Sequence, residues 1–279
     1  MSYKRILTIQ DISCFGQCSL TVALPILSLC GAEAVILPSA VLSTHTCGFT
    51  GFTVRDLTAD IPAIADHWEK EGIKFDMFYT GYLGSTEQIG YVKDIFARLP
   101  KDGALKIVDP AMADGGKLYP AFDMEYVEQM KKLVDGADFV VPNVTEACFL
   151  TGIEYKEAPY EKAYVESLEK ALIDLGAKTV VLTGVSYREN FTGVSVYTDG
   201  KEQYYEHKLC PQGSHGTGDI FASAFTGALS CGKTAFESAK IAAYYTLLCI
   251  EKSQGDENHR YGAKFEPMLV ELARLLGKA

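Results

Sequence analysis

Short apolar segments alternate with amphipathic ones along most of this chain, and that alternation leaves few folds open. Strand-like runs fall at residues 6–10, 34–37, 75–80, 106–109, 139–142 and 179–183. Between them lie helical patterns such as 55–71, 87–99, 125–133 and 161–175. Strands separated by helices of this size imply βαβ crossovers, so the expected class is α/β with a mostly parallel central sheet covered on both faces. Beyond Thr183 the pattern changes. Residues 191–198 and 202–207 flank Asp199-Gly200, a two-residue hairpin signal. Two or three helices should close the chain. No linker, low-complexity stretch or internal repeat interrupts the 279 residues, so the expectation is one domain over 1–279.

In open α/β sheets, ligands sit beyond the carboxyl ends of the strands. Polar clusters recur at those ends here: Asp11-Ile12-Ser13, Ser43-Thr44-His45-Thr46, Thr80-Gly81-Tyr82, Asp109-Pro110, Asn143-Val144-Thr145-Glu146 and Thr183-Gly184. A further feature belongs with them. Gly213-Ser214-His215-Gly216-Thr217-Gly218-Asp219 runs into the apolar, small-residue segment 220–225. Successive backbone N–H groups in such a turn form a concave anion site facing the positive end of a helix dipole. A carboxylate beside that site can take a proton from an alcohol attacking a phosphoryl group. The plainer alternative is a turn followed by an Asp in a helix cap.

Two other strand ends carry oxygen ligands. Asp109-Pro110-Ala111-Met112-Ala113-Asp114 sets two carboxylates five residues apart around a rigid proline. A metal-bound triphosphate takes such ligands, often through water, because Mg²⁺ gives up its hydration shell reluctantly. Asn143 and Glu146 share one helical turn and could both face a metal–phosphate cluster; the same spacing is also a capping pattern. His45 lies in a polar loop as a hydrogen-bonding residue rather than a base. Tyr82 follows a strand end where it could lie against a flat ligand.

One motif competes. Gly227-Ala228-Leu229-Ser230-Cys231-Gly232-Lys233-Thr234 satisfies G-x-x-x-x-G-K-[ST]. A phosphate-binding loop of that kind needs a buried strand before it, whereas residues 218–226 continue a helical run. Gly232 therefore reads as a helix-ending glycine and Thr234 as the next cap.

Composition narrows the partners. A net charge of −10 argues against a nucleic-acid binder, whose affinity rests on Lys and Arg neutralising phosphates. Eight cysteines contain no C-x-x-C pair, which leaves reduced thiols, expected mainly in the core. The first apolar stretch is too short for a secretory signal, and no stretch is long enough to cross a membrane, so a cytoplasmic protein is expected.

Taken together, Gly216-Thr217-Gly218-Asp219, Asn143-x-x-Glu146 and the α/β alternation resemble the ribokinase superfamily of small-molecule kinases. Ile9-Gln10, Ser43-Thr44-His45-Thr46, Thr80-Gly81-Tyr82-Leu83-Gly84-Ser85 and Asp109-Pro110-x-Met112-x-Asp114 are similar to its pyridoxal/pyridoxamine kinase branch, over nearly the whole chain. That resemblance implies a three-layer α/β/α fold, ATP and Mg²⁺ use with a monovalent cation as a further option, a homodimer, and phosphorylation of the 5′-hydroxymethyl group of a vitamin B6 vitamer. It makes Asp219 the general base and Gly216, Thr217 and Gly218 the anion hole. Asp109, Asp114, Asn143, Glu146 and Thr183 would serve ATP, with Asp109 and Glu146 holding Mg²⁺ partly through water. Asp11, His45, Thr46 and Tyr82 would serve the acceptor. Where the branch commonly has Gln-Ser-His after its first strand, this chain has Gln10-Asp11-Ile12, and an anionic Asp11 would favour pyridoxamine over pyridoxal. A loop at 113–117 with Gly115-Gly116 could close over the site. The alternatives are a hydroxymethylpyrimidine kinase on the same fold and a non-catalytic B6-binding regulatory protein.

Overall fold

The computed structural model describes residues 3–211, 214–256 and 259–278. Among these the strands are β1 (Arg5–Ser13), β2 (Glu33–Leu42), β3 (Val54–Asp56), β4 (Phe75–Thr80), β5 (Pro100–Val108), β6 (Ala113–Asp114), β7 (Lys117–Leu118), β8 (Phe139–Val140), β9 (Thr179–Val185), β10 (Phe191–Thr198) and β11 (Lys201–Lys208). The helices are α1 (Leu20–Leu29), α2 (Ile61–Lys70), α3 (Thr86–Arg98), α4 (Met124–Val134), α5 (Val144–Thr151), α6 (Lys162–Asp174), α7 (Thr217–Ser230), α8 (Ala235–Ser253) and α9 (Leu269–Leu275).

Nine strands form one sheet in the order β11-β10-β9-β8-β5-β4-β1-β2-β3. From β9 through to β2 all pairings are parallel; β3 and the β9-β10-β11 meander are antiparallel edges. Alternate side chains along each strand enter different cores, as the two-residue period requires. Leu7, Ile9, Phe78, Val108, Val180 and Leu182 pack with α2 to α6 on one face. Ile6, Met77, Tyr79, Ile107 and Val181 pack with α1, α7, α8 and α9 on the other. The result is the expected three-layer α/β/α arrangement. The chain leaves β1 for β2 on one side and later returns to β4 on the other. The carboxyl ends of β1 and β4 therefore bound a topological switch point, where such sheets bind ligands.

The Asp199-Gly200 hairpin forms as expected, with both central residues at positive φ (51° and 75°), the geometry a two-residue turn between twisted strands demands. Three expectations need correction. First, β1 does not open into a loop after Gln10 but continues to Ser13, because β2 accommodates it with a register shift between Gln10 and Ile12. Second, residues 55–71 are not one helix: β3 and a 3₁₀ turn come first, and the helix starts at Ile61 with Pro62 in its first turn. Third, the thiols are all free but not mainly in the core, since only Cys30, Cys148 and Cys249 are buried.

The Gly227–Thr234 stretch is helix, turn and helix. Gly227 lies inside α7, where an added Cβ would sit 2.3 Å from Cys30 Sγ, so its glycine serves the α1–α7 packing. Gly232 (φ 82°) follows the helix end, and Thr234 caps α8 in a capping box with Glu237. No strand precedes this loop, and the phosphate-loop reading falls.

One buried carboxyl makes stability depend on pH. Glu169 of α6 is fully buried; its Oε1 accepts from Ser195 Oγ at 2.5 Å and its Oε2 has no partner. Burial pushes its pKa up to about 7, from 4.5. A carboxyl with a raised folded pKa binds more protons folded than unfolded between those values, so stability falls as pH rises from about 4.5 to 7. Replacing Glu169 with Gln should raise Tm at pH 8 and give little or no gain at pH 5, read by thermal melts at both.

Candidate active site

The carboxyl ends of β1 and β5 and the amino ends of α5 and α7 place acidic side chains within electrostatic reach of one another. Asp219 opens α7. Gly216 caps that helix in the left-handed region (φ 75°), and Ile220 N–H is the first to bond back, to Gly216 O at 3.0 Å. By helix geometry the N–H groups of Thr217, Gly218 and Asp219 have no acceptor within the helix, so they remain available to an anion. Gly213, which begins the turn in the sequence, lies outside the described residues. Gly216 is fixed by contact as well as by φ: an added Cβ would sit 1.9 Å from Gln17 O.

Asp219 accepts the backbone N–H of Ser19, while Ser19 Oγ donates to Asp11 Oδ1 at 2.5 Å and Ser13 Oγ to Asp11 Oδ2 at 3.0 Å. One residue thus holds two carboxylates, through its main chain and its side chain. Ser19 adopts φ 53° and ψ −135°, a backbone conformation that costs a non-glycine residue about 1–3 kcal/mol. Burial raises the Asp219 pKa to about 7; the Asp11 charge adds to this and the Ser19 N–H opposes it. Burial also raises the pKa of Asp11, against its two serine donors. Cys18, between these residues in sequence and near both charges, has its thiol pushed up by burial first and then by Asp219 and Asp11.

The second half of the site is built on β5 and α5. Asp109 is buried, with Oδ1 accepting from Ala111 N at 3.1 Å. Burial, then Glu146 and Asp219, hold its pKa well above the usual carboxylate range. Asn143 and Glu146 form the capping box that the spacing allowed: Asn143 Oδ1 accepts Glu146 N–H and Glu146 Oε2 accepts Asn143 N–H, both at 2.9 Å. Both side chains also reach the segment after β5. Glu146 Oε1 accepts Met112 N–H at 3.0 Å, and Asn143 Nδ2 donates to Ala113 O at 2.8 Å. Burial still raises the Glu146 pKa despite these donors. Asp114 is exposed in the β6–β7 hairpin, whose Gly115 and Gly116 take positive φ, and adds to the Glu146 shift. Thr183, where the β9–β10 register shifts, donates from Oγ1 to Pro142 O at 3.2 Å.

Asp109, Glu146 and Asp219 are buried acids, and Glu146 and Asp219 both raise the proton affinity of Asp109, a field that a cation would relieve. Among the described residues no three His, Cys, Asp or Glu side chains stand close enough to hold a metal ion directly. The oxygen donors Asp109 and Glu146 are of the kind that a hydrated divalent cation takes.

In the loop after β2 the structure settles the state of His45. Nδ1 accepts Cys47 N–H at 3.1 Å, so the proton is on Nε2, which faces Tyr261 O at 3.0 Å. Its pKa is lowered, chiefly by burial, and its ring packs where a Cβ on Gly16 would sit 2.1 Å from Cδ2. Asp11 and His45 feel one another's charge, as do Asp11 and Tyr82. Thr46 is exposed on the same loop and stands outside these contacts. Sequence reasoning missed several residues here. Tyr82 lies 5.3 Å from Phe122, which stacks on Tyr126 at 3.9 Å, an aromatic cluster drawn from β4's end, the segment before α4 and α4 itself. Ser19 and Tyr261 were missed as well. The alternation to a polar residue before the apolar run 20–29 was the only local hint of Ser19, and nothing local marks Tyr261.

This sheet, with its carboxylates at a switch point and a glycine-capped helix facing them, defines a ribokinase-like kinase. Over residues 27–267 the sequence matches the phosphomethylpyrimidine kinase family, and the chain belongs to it. A Bacteroides thetaiotaomicron protein described as a phosphomethylpyrimidine kinase superposes with TM-score 0.93 at 36% identity, covering 98% of this chain and 94% of that one. A second crystal form of that protein was obtained with pyridoxal. Pyridoxal kinase from Lactobacillus plantarum superposes with TM-score 0.90 at 30% identity over 98% of both chains. Hydroxymethylpyrimidine/phosphomethylpyrimidine kinase of Haemophilus influenzae is 28% identical over 272 residues, 92% of this chain and 96% of that protein. The chain is thus an ATP-dependent kinase of the pyridoxal or hydroxymethylpyrimidine kinase type, acting on an alcohol, and the non-catalytic alternative falls. No helix among the described residues is long and apolar enough to cross a membrane.

The turn before α7 yields a paired expectation. Gly216→Ala forces a Cβ into Gln17 O at positive φ and should cost more than about 1 kcal/mol of stability. An added Cβ on Gly218 meets nothing within 4 Å, so Gly218→Ala should be neutral or stabilising by up to about 1 kcal/mol. Denaturant titration of both variants checks the contrast.

Proposed function

We propose that this kinase phosphorylates the 5′-hydroxymethyl group of a vitamin B6 vitamer, with Asp219 as general base. The observation that carries the proposal is the position of Asp219, at the free N–H groups of α7 and tied through Ser19 to Asp11, beside Tyr82 and His45. The acceptor alcohol would lie between the two. As its oxygen attacks the γ-phosphoryl group of ATP, Asp219 takes the hydroxyl proton. The transition state for this transfer is loose and spreads charge over the equatorial oxygens, where the N–H groups of Thr217, Gly218 and Asp219 can donate. Asp109 and Glu146 would hold Mg²⁺ through water, and the ion, when bound, would neutralise phosphate oxygens. Asn143 orients Glu146 from the cap, and Asp114 and Thr183 would flank the nucleotide.

The aromatic surface of Tyr82 and Phe122, backed by the buried Tyr126, suits a flat heterocycle, and the 36%-identical relative crystallised with pyridoxal supports a pyridine ring. A second reading, a hydroxymethylpyrimidine kinase, is favoured by the family's description and the Haemophilus influenzae relative. A coupled assay with pyridoxamine, pyridoxal, pyridoxine and the pyrimidine alcohol side by side decides between them. Higher kcat/KM for the pyrimidine would overturn the B6 reading.

Asp219→Asn should lower kcat by about 10²–10⁴ while ATP binding, measured by calorimetry, is largely kept. Because the free-enzyme pKa of Asp219 is raised to about 7, the base is protonated below that value. The kcat/KM of the wild type should accordingly climb with pH up to about 7 and then level. For Asp11 we infer a preference for a cationic vitamer. A charge-assisted contact is worth about 1.5–3 kcal/mol, so Asp11→Ser should shrink the pyridoxamine-to-pyridoxal ratio of kcat/KM by roughly ten- to a hundredfold. An unchanged ratio would remove the idea.

A further inference from the structure

At the far end of α1 and α7, away from the carboxylates, a second reactive group is assembled. Cys30 follows α1 and Cys231 follows α7, and their thiols hydrogen-bond to each other. In its thiol form Cys231 Sγ also donates to Cys30 O at 3.3 Å. Gly227 makes the approach possible by leaving the space beside Cys30 Sγ open. Access is unequal: Cys30 is buried, while Cys231 is half-exposed. A cavity of about 140 Å³ opens over the pair, and Tyr3, Lys4 and Lys278 line it with the two cysteines. The Lys278 ammonium donates to Cys30 O and to Cys231, so it brings a cation to the sulfurs.

The environment divides the two thiols into roles. The hydrogen bond from Cys30 and then the Lys278 charge bring the Cys231 thiol down to about 6. The Cys30 thiol is pushed up, by that same hydrogen bond and by burial. An accessible thiolate backed by a buried thiol is the arrangement of a peroxidatic and a resolving cysteine.

We propose that Cys231 and Cys30 form a hydroperoxide-reactive pair that closes to a reversible disulfide between the ends of α1 and α7. The Cys231 thiolate attacks one peroxide oxygen and the O–O bond breaks. The departing hydroxide takes a proton to become water, and Cys231 is left as sulfenic acid, oxidised by two electrons as the peroxide is reduced. Cys30 sulfur, giving up its proton, then attacks Cys231 sulfur; the S–O bond breaks and the hydroxide leaves as a second water. Hydrogen peroxide and two thiols thus become one disulfide and two waters, and an external dithiol reverses the change.

Reduced full-length protein treated with one equivalent of hydrogen peroxide, alkylated, digested and mapped by mass spectrometry tests this. The expected product is a peptide pair joined through Cys30 and Cys231 that disappears on adding dithiothreitol. In Cys30→Ser, Cys231 should instead be trapped by dimedone as sulfenic acid. Lys278→Met should slow formation of the link several-fold with an unchanged circular dichroism spectrum. Oxidation confined to the exposed Cys14 and Cys47, Cys231 oxidised in the wild type with no link to Cys30, or a Lys278→Met rate equal to wild type would each overturn the proposal.

Discussion

The burial of four acids governs this molecule's functional edge. Asp11, Asp109, Glu146 and Asp219 come from separate elements, and burial raises the proton affinity of each, with a neighbouring acid adding to it at all but Asp11. Such a gathering is unfavourable unless hydrogen bonds hold the charges. Here the donors are two serine hydroxyls and the backbone N–H groups of Ser19, Ala111, Met112 and Asn143. The architecture of the edge is therefore a set of main-chain donors pointed at carboxylates, and the field left over is what a cation and a proton in transit would answer.

Those donors depend on close backbone approach. The segment around Gln17 is pressed between Gly216 and Gly262, where added Cβ atoms would sit 1.9 Å from its carbonyl oxygen and 2.6 Å from its Cβ. Gln17 N–H and His45 Nε2 both use Tyr261 O. Through these contacts the loop after β1, the loop after β2, the turn before α7 and the turn at residues 260–262 are fastened together. Ser19 follows directly from Gln17 and Cys18, so the strained φ of Ser19 is sustained by packing on either side of it.

How much of this could be read from the chain varies with the range of the interaction. The parallel strands and the helix opened by Gly216 and Asp219 were legible because apolar period and glycine placement are local signals. The Asn143–Glu146 spacing was legible too, though as two alternatives, and the capping box is one that the structure contains. What escaped was whatever depends on distant partners. The extension of β1 to Ser13 needs a shift in β2; the aromatic cluster needs α4 beside β4; the main-chain hold of Ser19 on Asp219 spans 200 residues of sequence. Thr46 shows the reverse case, a motif position whose side chain stays at the surface.

The cap of α5 has a consequence for what chemistry position 146 tolerates. Each Glu146 oxygen receives a main-chain N–H, one from Met112 and one from Asn143. A glutamine of identical shape would turn an NH₂ toward one of them, donor against donor, and an aspartate would fall one methylene short of spanning both. Among the natural side chains, only glutamate offers two acceptors at that reach, so helix architecture alone would keep an acid here even in a relative that had abandoned phosphoryl transfer.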